Sequence, residues 1–307
     1  MDTQQGDRRQ FLKASAAIAA LGLAPRLLKA DEMPIIKTIP KSGEALPVIG
    51  MGTSRTFDTH DDDEITGQLQ QVIQSFFELG GGMIDSSPMY GAAQQVLGRI
   101  LPPLGDDRYL FAATKVWIEG RDNGVQQMEA SRRAWGIDRF DLMQIHNLVD
   151  WRTHLKTLEG MKAEGKIRYI GITTSHGRFH DQLEQILARH DFDFLQLSYN
   201  IANDEVEKRL LPLAQDRGIA VIVNRPFQRG ELFRKVRGVQ LPAWVNEFCC
   251  DSWGQYFLKY AVSHPAVTCA IPATSKVKHM RDNMGAGRGS LPTQKQRSMM
   301  RDYLLSL

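Results

Sequence analysis

Asp85 and Tyr90, five positions apart in "MIDSSPMYG", stand where an apolar run gives way to a turn. A carboxylate at the end of a buried strand costs free energy unless a cation pairs with it. Lys115, in "AATKVW", closes a second apolar run, and His146, in "MQIHN", closes a third. Together these four supply a carboxylate, an ammonium, an imidazole and a phenol. An ordinary phenol, with a pKa of about 10, is a poor acid at neutral pH. A neighbouring ammonium lowers that pKa and stabilises the phenolate left after proton donation. An imidazole beside it can hydrogen-bond and orient a carbonyl oxygen. The chemistry is therefore general-acid work on a carbonyl, with Asp85 holding Lys115. Singly, each residue has a plainer reading as a turn cap, a solvated strand end, a core histidine or a loop tyrosine. Their shared position at the ends of successive apolar runs argues for one site.

Such a site needs a scaffold that brings strand ends together. From residue 46 the chain repeats a short apolar run, a turn and an amphipathic segment. Strands are expected at 47–53, 82–87, 109–116, 140–147, 167–174, 192–200, 220–226 and 267–273. Helices are expected between them, among others at 64–79, 123–135, 152–164, 178–189, 203–215 and 244–262. In 203–215 Asn203 reads as an N-cap, and Pro212 falls inside the run as a kink. Eight apolar strands alternating with helices imply parallel strands covered on both faces, which close into a (β/α)8 TIM barrel. A doubly wound sheet would want GxGxxG after its first strand; "GMGTSR" is not that fingerprint. Before the barrel, "PIIKTIPKSGEALPVIG" reads as a β-hairpin turning at Ser42-Gly43 and closing the barrel bottom. "GAGRGS" at 285–290 follows a helix and reads as a loop. Active sites of such barrels lie at the C-terminal strand ends, where the four residues fall.

Over residues 34–285 the chain resembles an aldo/keto reductase. The family's Asp-x4-Tyr corresponds to Asp85 and Tyr90, its lysine to Lys115 and its histidine to His146. "GKIRYIGITT" and "LQLSYN" resemble its fifth and sixth strands, and "IPATSKVKHMRDN" its adenosine-phosphate segment. The resemblance implies hydride transfer from C4 of a reduced nicotinamide to an aldehyde or ketone, with Tyr90 as proton donor and no metal. It implies cofactor contacts at Thr53, Asp85, Thr173, Thr174, Gln196, Asn224, Arg225, Phe227 and Arg229. Further contacts fall at Thr274, Ser275, Lys276, His279, Asp282 and Asn283. Three departures from the family stand out. Thr173-Thr174 replaces the usual Ser-Asn, Asn224 replaces a tyrosine that stacks on the nicotinamide, and Ala273 replaces a lysine for the 2′-phosphate. The remaining donors and positive charge favour NADP(H) over NAD(H). Arg55, Phe57, Met89, Trp117, Asn147 and Trp151 are expected around a small carbonyl substrate. His176 and His180, at i, i+4 spacing, lack the glutamate of a metalloprotease motif and read as a solvated face. Some proteins of this fold instead serve as nucleotide-sensing partner subunits with little turnover, and a carbonyl assay separates the two readings.

The first thirty residues read differently. "GDRRQFLKASAAIAALGLAPRLLKA" has a basic start with Arg8-Arg9, a mild apolar centre and a small residue at Ala30. It resembles a twin-arginine signal, giving a division into a signal at 1–30 and a barrel at 31–307. Export machinery is then a transient partner and the periplasm the destination. Five basic and two acidic residues give this segment a net +3, which is the net charge of all 307 residues. The barrel is close to neutral, so its charge offers no argument for nucleic-acid binding. With 42% hydrophobic and 24% charged residues and no 18-residue apolar run, a globular protein without a stable membrane anchor is expected. Adjacent Cys249 and Cys250, with Cys269, form no disulfide framework, which fits folding in a reducing compartment before export.

Overall fold

The computed structural model describes residues 33–59, 62–105 and 109–307. Within the unit Pro34–Leu307, alternation of apolar runs and amphipathic segments produces alternating strands and helices. A hairpin of β1 (Ile36–Thr38) and β2 (Ala45–Pro47) comes first, antiparallel, with Gly43 in the left-handed region its turn requires. The parallel sheet follows: β3 (Met51–Gly52), β4 (Met83–Asp85), β5 (Phe111–Val116), β6 (Phe140–His146), β7 (Ile167–Thr173), β8 (Phe194–Ser198), β9 (Ala220–Asn224) and β10 (Val267–Ala270). Each strand pairs in parallel with its neighbours in sequence. The ends of the sheet meet: Gly50 N donates to Ala270 O at 2.9 Å, and Gly52 bridges Ala273. At that seam a Cβ on Gly52 would lie 2.8 Å from Ile271 O, so only glycine fits. The result is the expected (β/α)8 TIM barrel.

The helices on the outside are α1 (Asp63–Glu78), α2 (Ala93–Ile100), α3 (Arg121–Trp135), α4 (Trp151–Ala163), α5 (His180–Arg189), α6 (Leu210–Asp216), α7 (Glu231–Lys235), α8 (Trp253–Val262), α9 (Val277–Gly285) and α10 (Gln294–Ser306). Two expected helices are broken. In 203–215 a short 3-10 turn at Glu205–Lys208 precedes α6, which starts at Leu210. Pro212 thus falls in the first turn, where the missing N–H has no helical partner to lose, and no kink arises. In 244–262 a 3-10 turn ends at left-handed Cys249, and α8 begins behind Ser252, whose hydroxyl accepts from Gln255 N at 3.0 Å.

Two cores divide the molecule. A large apolar cluster lies between strands and helices and includes Phe57, which is fully buried there rather than in a pocket. A second cluster fills the barrel: Met83, Phe111, Ala113, Leu142, Tyr169, Phe194, Ile222 and Cys269, with Ile39 and Leu46 of the hairpin beneath. Side chains along a strand alternate faces, so the residue two positions beyond an interior one also points inward. Two beyond Met83, Ala113, Leu142, Phe194 and Ile222 stand Asp85, Lys115, Gln144, Gln196 and Asn224. The apolar filling gives way to a polar top layer at one level.

Candidate active site

Asp85 is the hub of that layer. Lys115 Nζ donates to its Oδ1 at 2.5 Å and to the Ser86 carbonyl at 2.9 Å. Gln144 Nε2 and Gln196 Nε2 donate to Oδ2 at 2.8 and 3.0 Å. Gln196 Nε2 also donates to Gln144 Oε1 at 2.9 Å. All four are buried, and charge-assisted bonds of this kind are what make a buried carboxylate tolerable. Gln144 has room because β7 carries Gly171 beside it, where a Cβ would lie 2.7 Å from Gln144 Cγ.

Tyr90, half-buried, lies over this pair, with Lys115 Nζ 5.1 Å from its ring centroid. Burial pushes the Tyr90 phenol above its ordinary value, and Lys115 only partly offsets it. A lowered value was the expectation; the ammonium is already committed to Asp85, so desolvation wins. Burial also works against the Lys115 charge, but Asp85 and Tyr90 outweigh it and hold the lysine above its usual range. His146 stands edge-on to Tyr90, ring centroids 6.2 Å apart. Burial, then the Lys115 charge, pulls its pKa down to about 3, so the imidazole is neutral. Its Nδ1 lies 3.1 Å from Ser87 Oγ, which also accepts from Met89 N. The hydroxyl keeps its proton and a second lone pair for the ring; donation to Nδ1 would leave Nε2–H as a donor.

These residues open into a cleft of about 800 Å³, within the range of small-molecule sites. Its wall includes Thr53, Asp85, Tyr90, His146, Asn147, Thr173, Gln196 and Asn224, with Arg55, Met89, Arg225, Phe227, Arg229 and His279. Thr53 Oγ1 lies 2.9 Å from Ser86 Oγ. Asn224 accepts from Ser198 Oγ at 2.6 Å and donates to Thr174 O at 3.1 Å. Trp117 lies beside His146, ring centroids 6.3 Å apart. Gln144 and Ser87 are the members that reading of the strand ends passed over.

The sequence profile described as the aldo/keto reductase family matches residues 48–301. The chain belongs to the aldo/keto reductase family. Membership makes the protein an oxidoreductase. Aldo-keto reductase str7 of Strobilurus tenacellus is 23% identical over 256 residues, covering 70% of this chain and 75% of the relative. Aldo-keto reductase yakc of Schizosaccharomyces pombe, whose name carries NADP(+), is 22% identical, covering 82% and 86%. A Klebsiella pneumoniae aldo/keto reductase crystallised with NADP and acetate superposes with a TM-score of 0.73 at 22% identity, covering 87% of this chain and 94% of that one.

Not every expected contact of this reductase lies on the cleft wall. Trp151 packs against His190 between α4 and α5, centroids 4.9 Å apart, because the first turn of α4 points it there. Within 273–283, Ala273 and His279 reach the cleft. Thr274 Oγ1 accepts from Lys276 N, and Asp282 accepts from Ser252 and Gln255 of the α8 start. Asn283 is buried in α9, and Ser275 makes no side-chain bond among the described residues. His176 and His180 join no cluster of three metal-ligating residues among the described residues.

Proposed function

We propose that this reductase reduces a small aldehyde or ketone with NADPH, Tyr90 delivering the proton. The supporting observation is the Tyr90–Lys115–Asp85 chain with neutral His146 on one cleft wall. The residues present fit a dinucleotide. Gln196 Oε1 is held only by contacts of 3.3–3.4 Å from Asn224 and Thr173, leaving capacity for a carboxamide N–H. Arg225 Nε is buried without a partner in the same cleft, as a phosphate site requires. Bound there, NADPH supplies hydride. The NADP of the Klebsiella structure and of the yakc name supports the phosphorylated form.

The chain's own residues do the rest. His146 Nε2–H, aimed by Ser87, hydrogen-bonds the carbonyl oxygen and orients it. Tyr90 holds its proton at neutral pH and releases it to that oxygen as negative charge builds, an alkoxide being far more basic than a phenolate. Lys115, kept charged by Asp85, stabilises the phenolate. Tyr90→Phe tests this: carbonyl-dependent NADPH oxidation should fall by about 10²–10⁴-fold with NADPH affinity intact. Near-normal rates in that variant would remove Tyr90 as the acid. Fluorescence titration should show tighter NADPH than NADH binding, and equal affinities would count against the phosphate assignment.

For residues 1–30, outside the described residues, we propose a twin-arginine export signal and a periplasmic destination, supported by Arg8-Arg9 and the mild apolar run.

A further inference from the structure

The mouth of the cleft holds more positive charge than the reaction uses. Arg55, Arg178, Arg225 and Arg229 all line it, with His176 among them. They come from three loops, after β3, β7 and β9. Among the described residues none of the four guanidinium groups has a hydrogen-bond or ion-pair partner, and Arg225 Nε is buried in that state. Other arginines of this protein are ion-paired, among them Arg168 with Asp141, Arg297 with Glu207 and Arg301 with Asp204. Of the acids on the cleft wall, Asp85 is held by Lys115, and Asp58 accepts from Ala92 N.

The four are close enough to feel one another. Burial, then Arg229, holds the Arg225 guanidinium below its usual range; Glu231 partly relieves this, and Arg55 and Arg178 add to it. Like charges gathered at a cleft mouth destabilise the empty protein and concentrate anions there. Arg225 and Arg229 follow Asn224, in the loop that the cofactor reading gives to the dinucleotide phosphates. Arg55 and Arg178 remain. Arg55 lies three residues beyond Gly52, which pairs with Asp85, and Arg178 belongs to the loop whose Ser175 reaches Asn147, next to His146. Met89 and Trp117 give the rim around Tyr90 and His146 an apolar side, each about two-fifths exposed.

Resting on the reductase reading, we propose that the carbonyl substrate carries an anionic group, a carboxylate or a phosphate ester, gripped by Arg55 and Arg178. The carbonyl then meets Tyr90 and His146, and the body of the substrate lies on Met89 and Trp117. Guanidinium forks match both anions bidentately, and a charged tail at a fixed distance sets which carbonyl reaches the acid.

The test uses 4-carboxybenzaldehyde and methyl 4-formylbenzoate, which share ring and carbonyl and differ in charge. The full-length protein should show kcat/KM favouring the carboxylate by roughly tenfold or more, a preference that shrinks as salt rises. Arg178→Met should bring the ratio toward one while NADPH affinity stays within about twofold. A ratio near one in the unaltered protein overturns the proposal. So does an Arg178→Met variant that loses NADPH affinity and keeps the ratio, because the arginine then serves the cofactor. Quenching of tryptophan fluorescence by the same two aldehydes reads the preference without turnover. Carboxylate-selective quenching without reduction of either aldehyde would retain the anion site and sink the reductase reading; equal quenching would sink the anion site.

Discussion

In the proposed mechanism Asp85 keeps Lys115 charged and Ser87, 3.1 Å from Nδ1, holds the His146 ring. A hydroxyl donated to Nδ1 would select the tautomer that presents Nε2–H to a carbonyl. Ser87→Ala frees the imidazole to turn and to exchange tautomers. Its kcat should fall about tenfold, equivalent to roughly one good hydrogen bond, with KM little changed. An unchanged kcat would show that packing alone orients the ring. Because His146 is held down to about 3, no step in kcat should appear near the ordinary histidine pKa between about pH 5 and 8. An inflection there would mean the ring titrates. Asp85, Lys115 and His146 are legible in sequence because each stands at or near the end of an apolar run, and Tyr90 because it lies in the turn just beyond Asp85. Gln144 is harder to see, an amide inside "LMQIHN" with its partners on other strands. The signal was a buried amide in need of partners, which only strand register supplies. Ser87 reads as an ordinary turn residue until His146 is placed beside it.

At the scale of elements, the hairpin below the barrel is tied down by one carboxylate. Glu44 accepts from Tyr109 at 2.9 Å, from Tyr169 at 2.5 Å and from Arg168, which also holds Asp141 at 2.6 Å. Lys37 of β1 donates to three carbonyls, Val262, His264 and Val267, where α8 turns into β10. These bonds hold Ile39 and Leu46 against the interior cluster. Glu44→Ala removes the shared acceptor but leaves Arg168 its Asp141, so a loss of about 2–3 kcal/mol is expected in denaturant unfolding. Rates per folded molecule should not change, since the polar layer lies at the other end of the strands. A stability unchanged within error would mean the hairpin is held by apolar packing alone. The hairpin was legible from Ser42-Gly43, and the strands from their apolar runs. The breaks before α6 and α8 were not, because Arg209 and Cys249 carry no breaker chemistry and tertiary packing decides them.

The whole molecule separates stability from chemistry along the barrel axis, and both ends contribute to its response to pH: burial holds His264, at the hairpin end, down to about 4, and His146, at the chemical end, to about 3. Between about pH 3 and the ordinary value of 6.5, the unfolded chain protonates His146 and the folded one does not. Unfolding therefore takes up a proton in that window, and stability rises with pH there. The contribution is complete above pH 6.5 and is lost as pH falls toward 3. His146→Gln should flatten the acid limb of a stability–pH curve, and an unaltered limb would place the acid sensitivity elsewhere. The proposed export would make a second demand on the whole molecule. A twin-arginine substrate crosses folded, so barrel, hairpin and cleft would have to be complete in the cytoplasm. Cys249, Cys250 and Cys269 are free thiols, Cys269 inside the barrel filling, so no oxidation step is needed to finish the fold. A cofactor held in the cleft would travel with the protein, since NADPH is made where metabolism runs. Replacing Arg8 and Arg9 together by lysine should keep the protein in the cytoplasm at full length, with carbonyl reductase activity in the cytoplasmic fraction. Should the double variant still be found cleaved in the periplasm, the segment does not act as a twin-arginine signal, and the barrel chemistry stands apart from that result.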